Sequence, residues 1–459
     1  MKYINYLLHF ILIHFILKYS LSYLIFPFKT KQPQINETET NISLIFSSLI
    51  DNNIFINLQI GLPNQTIEAF LRSDEYDFYI SEKPINNNKS SNLSPYIFDV
   101  GSDIINFYDQ NNSISLEITN KTKNSILASD VTGNISFDYF HFISTNKEKI
   151  TKKIPFILYP STIKSTPGVI SLEAPLEVEE KEYNFIENLK ENNVIDSYFW
   201  IINYTSDNEG NFIIGEQPHI FDPLNYNEKD LLLYYPFSDD EMFGWGLVFD
   251  EINFGEKYFR QFHGCYFSYE LNYIKGIIEL EKQLDLFFNK FIENGTCFKE
   301  IFNNLNEPIK FFYCIKEKYK ENIKFFPKLK FFHFDYNYTF ELNYKDLFIE
   351  KNDKYFLMIF FDKAQFDWYF GKPFLKKYSF LMNHDTKILG FYKKTFNYEI
   401  ELKKNNNNLI LKIILIVIAL IILLIFGIFI GKYYFKESKK HKNIIDEEYD
   451  YTSKNDEIN

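Results

Sequence analysis

Hydrophobic and polar positions alternate over short distances through the central part of the chain. Apolar or alternating segments at 54–60, 211–214 and 355–361 are rich in β-branched and aromatic residues and are bounded by Asn, Gly, Pro or Asp. This pattern is typical of β-strands. Two other segments, 184–193 and 280–293, place apolar residues on one face of a helix. The pattern therefore predicts a mainly β fold with a few short helices.

The N-terminus has the features of a secretory signal. Lys2 precedes an apolar run at 7–17, and Ser20 and Ser22 offer small residues for cleavage. A positive charge, a short apolar core and small residues in that order predict a signal peptide over residues 1–22. The alternative is a buried N-terminal helix.

A second apolar segment lies close to the C-terminus. Residues 413–431 contain no charge, and as a helix they cover about 28 Å, close to the roughly 30 Å hydrocarbon core of a bilayer. Lysines follow at once, from Lys432 onward, and such a flank favours the cytosolic side. We predict a transmembrane helix at 409–431 and a cytosolic tail at 432–459; the alternative is a buried globular helix. The expected location is a secretory-pathway or cell-surface membrane, crossed once as a type I protein.

Glycosylation motifs agree with a lumenal or extracellular ectodomain. Asn-X-Ser/Thr motifs, which are possible glycan acceptors, begin at Asn36, Asn41, Asn64, Asn88, Asn92, Asn111, Asn120, Asn134, Asn203, Asn294 and Asn337. No such motif lies in the predicted tail. The ectodomain is therefore expected to be a glycoprotein.

Length and charge restrict the organisation and the partners. The roughly 380 residues between signal and span exceed one ordinary core and suit two lobes. The net charge is −12, and no Lys/Arg patch with interleaved aromatic residues occurs in the ectodomain, so a nucleic-acid partner is not expected.

The chain has three cysteines, Cys265, Cys297 and Cys314. In an oxidising lumen two of them are expected to pair. Cys297 with Cys314 is the short-loop choice, and this disulfide would contribute roughly 3 kcal/mol in the loop-entropy model. Cys265 would then be a small buried apolar residue.

Several segments, in order, resemble the pepsin-like aspartic peptidases. Ile-Gly-Leu-Pro-Asn-Gln at 60–65 is similar to the family's opening Ile-Gly-Thr-Pro-Pro-Gln. The other matching segments are 77–80, 168–172, 185–199, 210–215, 297–331 and 368–392. The resemblance covers about residues 50–394. It implies a bilobal fold with lobes at 45–225 and 226–400 around a cleft, into which each lobe contributes one catalytic loop.

The resemblance also shows which catalytic groups are replaced. Peptide hydrolysis in this family requires two aspartates that share one proton. The first aspartate position holds Arg72, and the second aligns with Ser268. Arginine stays protonated and cannot act as a general base, and an unactivated hydroxyl cannot hold the shared proton. No intact catalytic residue is therefore predicted.

Four residues are predicted to line the cleft. Asp74 and Glu270 occupy glycine positions of the two loops, Glu75 follows Asp74, and Leu116 lies where the family's flap tyrosine is expected. Because an unpaired charge at the base of a cleft is costly, we expect Arg72 to form an ion pair with Asp74 or Glu270.

Other chemistry is not indicated by the sequence. Asp99-Val-Gly-Ser102 resembles a catalytic loop but lies too late in the chain and lacks the preceding strand. Motifs for nucleophilic catalysis, zinc peptidases and phosphate loops do not occur. Neither a metal nor a cofactor is predicted.

The leading hypothesis is a membrane-anchored pseudopeptidase that binds a peptide or protein partner in its cleft. An active aspartic endopeptidase with an unrecognised carboxylate pair is the first alternative. A structural surface glycoprotein is the second.

Overall fold

The strands of the first part of the chain follow the alternation of its apolar and polar residues. The computed structural model describes residues 23–33, 35–73, 77–83, 106–124, 132–144, 148–160, 167–173, 183–224, 226–234, 245–259, 263–303, 308–362 and 367–393. The elements described up to residue 224 are β1 (Leu24–Lys31), α1 (Ile42–Ser47), β2 (Asn53–Ile60), β3 (Gln65–Arg72), β4 (Tyr79–Ser81), β5 (Glu117–Asn124), β6 (Thr132–Ile143), β7 (Lys149–Tyr159), β8 (Gly168–Ser171), α2 (Phe185–Glu191), β9 (Phe199–Tyr204), β10 (Glu209–Ile214) and α3 (Pro218–Phe221).

The second part of the chain is also dominated by strands. Its described elements are β11 (Leu231–Tyr234), β12 (Gly246–Phe249), β13 (Glu251–Phe254), β14 (Lys257–Phe259), β15 (His263–Phe267), β16 (Ile274–Lys275), α4 (Ile278–Glu293), β17 (Cys297–Asn303), β18 (Pro308–Ile315), α5 (Lys316–Tyr319), β19 (Leu329–His333), β20 (Tyr338–Leu342), α6 (Tyr344–Leu347), β21 (Phe348–Lys351), β22 (Lys354–Leu357), β23 (Ile359–Phe360), β24 (Trp368–Phe370), α7 (Lys372–Leu375), β25 (Phe380–Asn383) and β26 (Ile388–Tyr392). Short 3₁₀ helices occur at Gln110–Asn112, Glu228–Asp230 and Ile323–Phe325.

The largest sheet combines strands from both ends of the described chain. Its thirteen strands run in the order β11-β26-β25-β9-β10-β1-β2-β3-β8-β4-β7-β6-β5. β25 pairs antiparallel with β9, and β1 lies between β10 and β2. The last described strands therefore belong to the same sheet as the first described strands.

Three smaller sheets belong to the second part of the chain. One has the order β12-β15-β24-β16-β23, and the other two are β14-β13-β19-β20 and β17-β18-β22-β21. The predicted mainly β fold class is confirmed. The described residues belong to one compact unit that extends to Thr395, and the predicted lobe boundary between residues 225 and 226 stays a prediction.

One set of strand pairings occurs twice. In the first part of the chain β3 pairs parallel with β8, β8 pairs antiparallel with β4, and β4 pairs parallel with β7. In the second part β15 pairs parallel with β24, β24 antiparallel with β16, and β16 parallel with β23. β3 and β15 therefore occupy equivalent places in two copies of one topology.

The two predicted helices are present with shifted ends. α2 begins after Asn184, whose side chain accepts from the backbone N–H of Glu187 at 3.0 Å, a typical N-cap. It ends before Asn193, which has a positive φ of 54°. α4 begins at Ile278, two residues before the expected start. Leu286, an apolar residue of this helix, is 72 % exposed.

The predicted strand at 355–361 is divided into two. β22 belongs to the sheet with β18, whereas β23 pairs with β16 in another sheet. The break lies at Met358, whose N–H donates to the carbonyl of Leu347 at 2.7 Å and whose own carbonyl accepts from Ile274 N–H at 2.9 Å. A continuous apolar run gave no sign of this change of sheet, because both strands are buried.

The disulfide between Cys297 and Cys314 is present, as predicted. The two cysteines are directly opposite one another in β17 and β18. Cys265 is buried in the core on β15, and burial raises the pKa of its thiol.

The segment between β1 and β2 packs against the second part of the chain. Ile45, Phe46 and Leu49, in and after α1, join a hydrophobic cluster with residues of β18 and β22. The ring of Phe46 stacks on Phe311 with 3.8 Å between centroids. This contact connects the beginning of the chain to its second half.

The predicted membrane features lie outside the described residues. These are the signal peptide at 1–22, the transmembrane helix at 409–431 and the tail at 432–459. Within the described ranges, no helix has the length and apolar character that a membrane span requires.

Candidate functional site

Arg72 is the last residue of β3. It pairs with Ser171 of the parallel strand β8, and its carbonyl oxygen accepts from Leu172 N–H at 2.8 Å. β3 is buried over its central residues, so the chain leaves the core at Arg72. Arg72 and Ser73 form the described part of the first loop.

Ser268 directly follows β15, the strand that is equivalent to β3. Its N–H donates to the carbonyl of Phe370 at 3.0 Å, on the parallel strand β24. The second loop, residues 268–271, therefore leaves the core at the place that corresponds to the first loop. Arg72 is the last paired residue of β3 and Ser268 directly follows the last paired residue of β15, and the equivalence of the two residues stays a prediction.

The carboxylate of Glu270 joins the two loops. One oxygen, Oε1, accepts from the backbone N–H of Ser73. The other, Oε2, accepts from the hydroxyl groups of Ser73 at 2.8 Å and of Ser268 at 3.0 Å. A carboxylate with three such donors is stabilised in its ionised form. We call the contact among Ser73, Ser268 and Glu270 the loop junction.

The hydroxyl of Ser73 has a second role in the junction. It accepts from the backbone N–H of Tyr269 at 3.2 Å while it donates to Glu270. A single small side chain thus engages both the backbone and the carboxylate of the opposite loop. The sequence analysis assigned no role to Ser73.

Asn52 supports the second loop from the first half of the chain. Its backbone N–H donates to the carbonyl of Glu270 at 2.7 Å. Its side-chain amide donates to the carbonyl of Tyr269 and to the hydroxyl of Tyr204, each at 2.8 Å. Asn52 is 2 % exposed. The sequence showed only a polar run before β2 and did not indicate this contact.

Asp51 adds a second carboxyl group near the junction. It forms an isolated β-bridge with Leu271, the residue after Glu270. Burial raises the pKa of Asp51, and the positive charge of Arg72 opposes that rise. Arg72 therefore acts electrostatically on an acid that the sequence analysis had not considered.

The predicted site residues divide into three groups. Arg72, Ser268 and Glu270 lie on the two loops that meet at the junction. Leu116 packs, partly buried, against the hydrophobic core. Asp74 and Glu75 lie outside the described residues, and the ion pair expected between Arg72 and Asp74 or Glu270 stays a prediction.

The predicted glycan acceptors differ in accessibility. Exposed asparagines with a sequence motif are Asn36, Asn41, Asn64, Asn111, Asn120, Asn294 and Asn337, and Asn134 is half-buried. Asn88 and Asn92 lie outside the described residues. Asn203 is 6 % exposed, and its amide donates to the hydroxyl of Tyr226 at 3.1 Å. The folded protein therefore leaves no room for a glycan on Asn203.

Among the described residues, no cluster of three or more His, Cys, Asp or Glu side chains is arranged to hold a metal ion. The arrangement at the loop junction is one of hydrogen bonds between serines, backbone amides and a carboxylate.

No protein-family model matches the chain, and no curated protein matches it.

Proposed function

We propose that this protein is a membrane-anchored, non-catalytic member of the pepsin-like aspartic peptidases that binds a peptide or protein partner. The observation that carries the proposal is the loop junction. Two equivalent loops meet there, as catalytic loops must, but the carboxylate that joins them already accepts hydrogen bonds on both oxygens. In the family resemblance, Arg72 and Ser268 take the positions of the two catalytic aspartates.

The contacts at the junction favour a structural role for Glu270. A general base needs a free acceptor directed at the proton of a water molecule. Glu270 instead accepts three hydrogen bonds from Ser73 and Ser268, which occupy most of the roughly four acceptor positions of a carboxylate. The repeated topology and the ordered segments of resemblance support the family assignment and the cleft that it implies.

One observation favours an active endopeptidase as the second candidate. Asp51 is a carboxyl group with a raised pKa, and it bridges to the residue after Glu270. A protonated Asp51 and an ionised Glu270 would together supply the two protonation states that the reaction requires. In that case Asp51→Asn and Glu270→Gln would each abolish cleavage.

Peptide binding tests the proposal directly. The full chain, purified in mild detergent, is titrated into a mixture of fluorescein-labelled decapeptides, and anisotropy is recorded at pH 7. Saturable binding is expected, and Ser268→Trp should weaken it at least tenfold by filling the base of the cleft. Ser206→Trp, in the exposed β9–β10 turn, is the matched control and should bind normally. Equal binding by both variants would contradict a site between the two loops.

A further inference from the structure

His384 directly follows the last residue of β25. The indole N–H groups of Trp200 and Trp245 both point at its Nε2 atom, at 3.1 Å and 3.3 Å. The imidazole also forms a hydrogen bond with the backbone of Leu172, and because Nε2 faces the two indoles, we assign this bond to Nδ1. The residue as a whole is only partly buried, but both ring nitrogens face protein groups.

This arrangement requires a neutral imidazole. Nε2 of a neutral histidine is an acceptor when Nδ1 carries the proton, whereas both nitrogens of a protonated histidine are donors. Protonation would therefore place an N–H at Nε2 against two indole N–H donors. His384 cannot gain a proton and keep its bonds to Trp200 and Trp245.

Three contacts connect this cluster to the two loops. Leu172 donates its N–H to the carbonyl of Arg72 at 2.8 Å, which links His384 to the first loop. The carbonyl of Trp245 accepts from Phe267 N–H at 2.8 Å, directly before the second loop.

The third contact is made by aromatic rings. The ring of Trp200 packs edge-on against Tyr269 with 5.5 Å between centroids, and the backbone N–H of Tyr269 bonds to Ser73 across the junction. A rearrangement at His384 would thus reach both loops through residues that contact them directly.

We propose that His384 is an acid-sensitive latch, which holds the two loops together while it is neutral and releases them when it is protonated. The regulation of peptide binding depends on the proposed function, whereas the pH-dependent opening of the loops does not. A peptide held between the loops would accordingly bind differently at neutral and at acid pH.

The charged groups around the latch do not neutralise this effect. Asp385 is the nearest acid, and its carboxylate bonds to Lys190 at 2.5 Å and to the backbone N–H of Tyr198 at 2.9 Å. The Tyr198 ring lies 4.2 Å from the imidazole, and its surroundings include the acids Glu173 and Glu187. Among the described residues, Asp385 is the acid that raises the pKa of His384, and burial outweighs it.

The direction of the pH effect follows from linkage. Burial lowers the pKa of His384 to about 3, against an ordinary value of 6.5. A state in which His384 reaches water would titrate near the ordinary value. Below pH 6.5 the open state therefore binds a proton at His384, whereas the closed state does not. The ratio of open to closed molecules rises by up to about tenfold for each pH unit of acidification.

Hydrogen exchange of the full chain, read by mass spectrometry at pH 7.0 and pH 5.0, tests the latch. After correction for intrinsic rates, peptides that cover residues 70–73 and 267–272 should exchange at least tenfold faster at pH 5.0. A peptide that covers β19 and β20 should change little. His384→Gln, which keeps a neutral acceptor, should remove the pH dependence, and the control His141→Gln should retain it.

A second variant keeps the test valid if His384→Gln does not fold. Trp245→Phe removes one of the two opposing donors, so the pH dependence should be smaller than in the natural chain. Loops that exchange equally at both pH values, or a full acid response in His384→Gln or Trp245→Phe, would overturn the latch.

Labelled decapeptides then separate the latch from the binding function. Acid-opened loops with no peptide binding at either pH would leave the latch intact and refute the proposed function. Peptide binding that is unchanged between pH 7.0 and pH 5.0 while the loops open would refute the regulatory role.

Discussion

At the scale of single residues, Glu270 determines how the two loops meet. Three donors from Ser73 and Ser268 converge on its carboxylate. Hydrogen bonds to charged groups contribute more than neutral ones, roughly 1.5–3 kcal/mol each. The junction therefore depends on the negative charge of Glu270 as well as on its shape.

We predict that Glu270→Gln lowers the free energy of unfolding by about 1–3 kcal/mol, because the amide has one acceptor oxygen in place of two. Denaturant unfolding at pH 7 measures this difference. Glu279→Gln, on the exposed face of α4, is the matched control and should change stability by less than about 0.5 kcal/mol. Equal stability of the two variants would mean that Glu270 is not held by the opposite loop.

The sequence predicted part of this junction and missed the rest. Arg72, Ser268 and Glu270 were identified because the resemblance fixes their place relative to glycine and apolar anchors. Ser73 and Asn52 were not assigned, because their partners are contributed by the opposite loop and are distant in sequence. Alternation along a strand carries no information about such contacts.

At the scale of elements, α1 contributes the contact that the sequence did not indicate. The segment 42–47 is only six residues long, and its residue Phe46 packs against Phe311 and Phe360, which are far along the chain. α4, by contrast, has sixteen residues, enough turns for the helical period to be recognised. Short elements whose stability comes from tertiary packing escape pattern analysis.

We predict that Phe46→Ala lowers the free energy of unfolding by about 3–5 kcal/mol, the usual cost for a buried aromatic ring. Phe46 is 0 % exposed, whereas Leu44 in the same helix is 51 % exposed. Leu44→Ala is therefore the control and should change stability by less than about 1 kcal/mol. Chemical denaturation of both variants gives the comparison. A mild effect of Phe46→Ala would show that α1 is not part of the stable fold.

At the scale of the whole molecule, the repeated strand pairing relates the two loops. β3 with β8 and β15 with β24 are the corresponding pairs, and the sequence carries little trace of the repeat outside the family resemblance. The mainly β class was predictable from the sequence, because the alternation of apolar and polar residues within a strand indicates which of its residues are buried. The order of strands in the large sheet was not predictable, because β25, near the end of the described chain, pairs with β9.

The distribution of glycans is also a property of the whole surface. We predict that peptide mapping by mass spectrometry finds glycans on exposed motifs such as Asn64 and Asn120, and none on Asn203, whose amide is enclosed. The cause is steric, because a glycan on Asn203 Nδ2 would displace Tyr226. Treatment with a deglycosylating enzyme in labelled water marks the occupied sites. Stoichiometric labelling of Asn203 in folded protein would contradict the packing described for β9.

A cleavage assay decides whether the protein acts as a peptidase. The full chain is incubated with a mixed peptide library from pH 3 to pH 7, with and without pepstatin, and the products are read by mass spectrometry. We expect no cleavage by folded protein at any pH. Pepstatin-sensitive cleavage at acid pH that disappears in Asp51→Asn or Glu270→Gln would contradict it and would identify a working carboxylate pair at the loop junction.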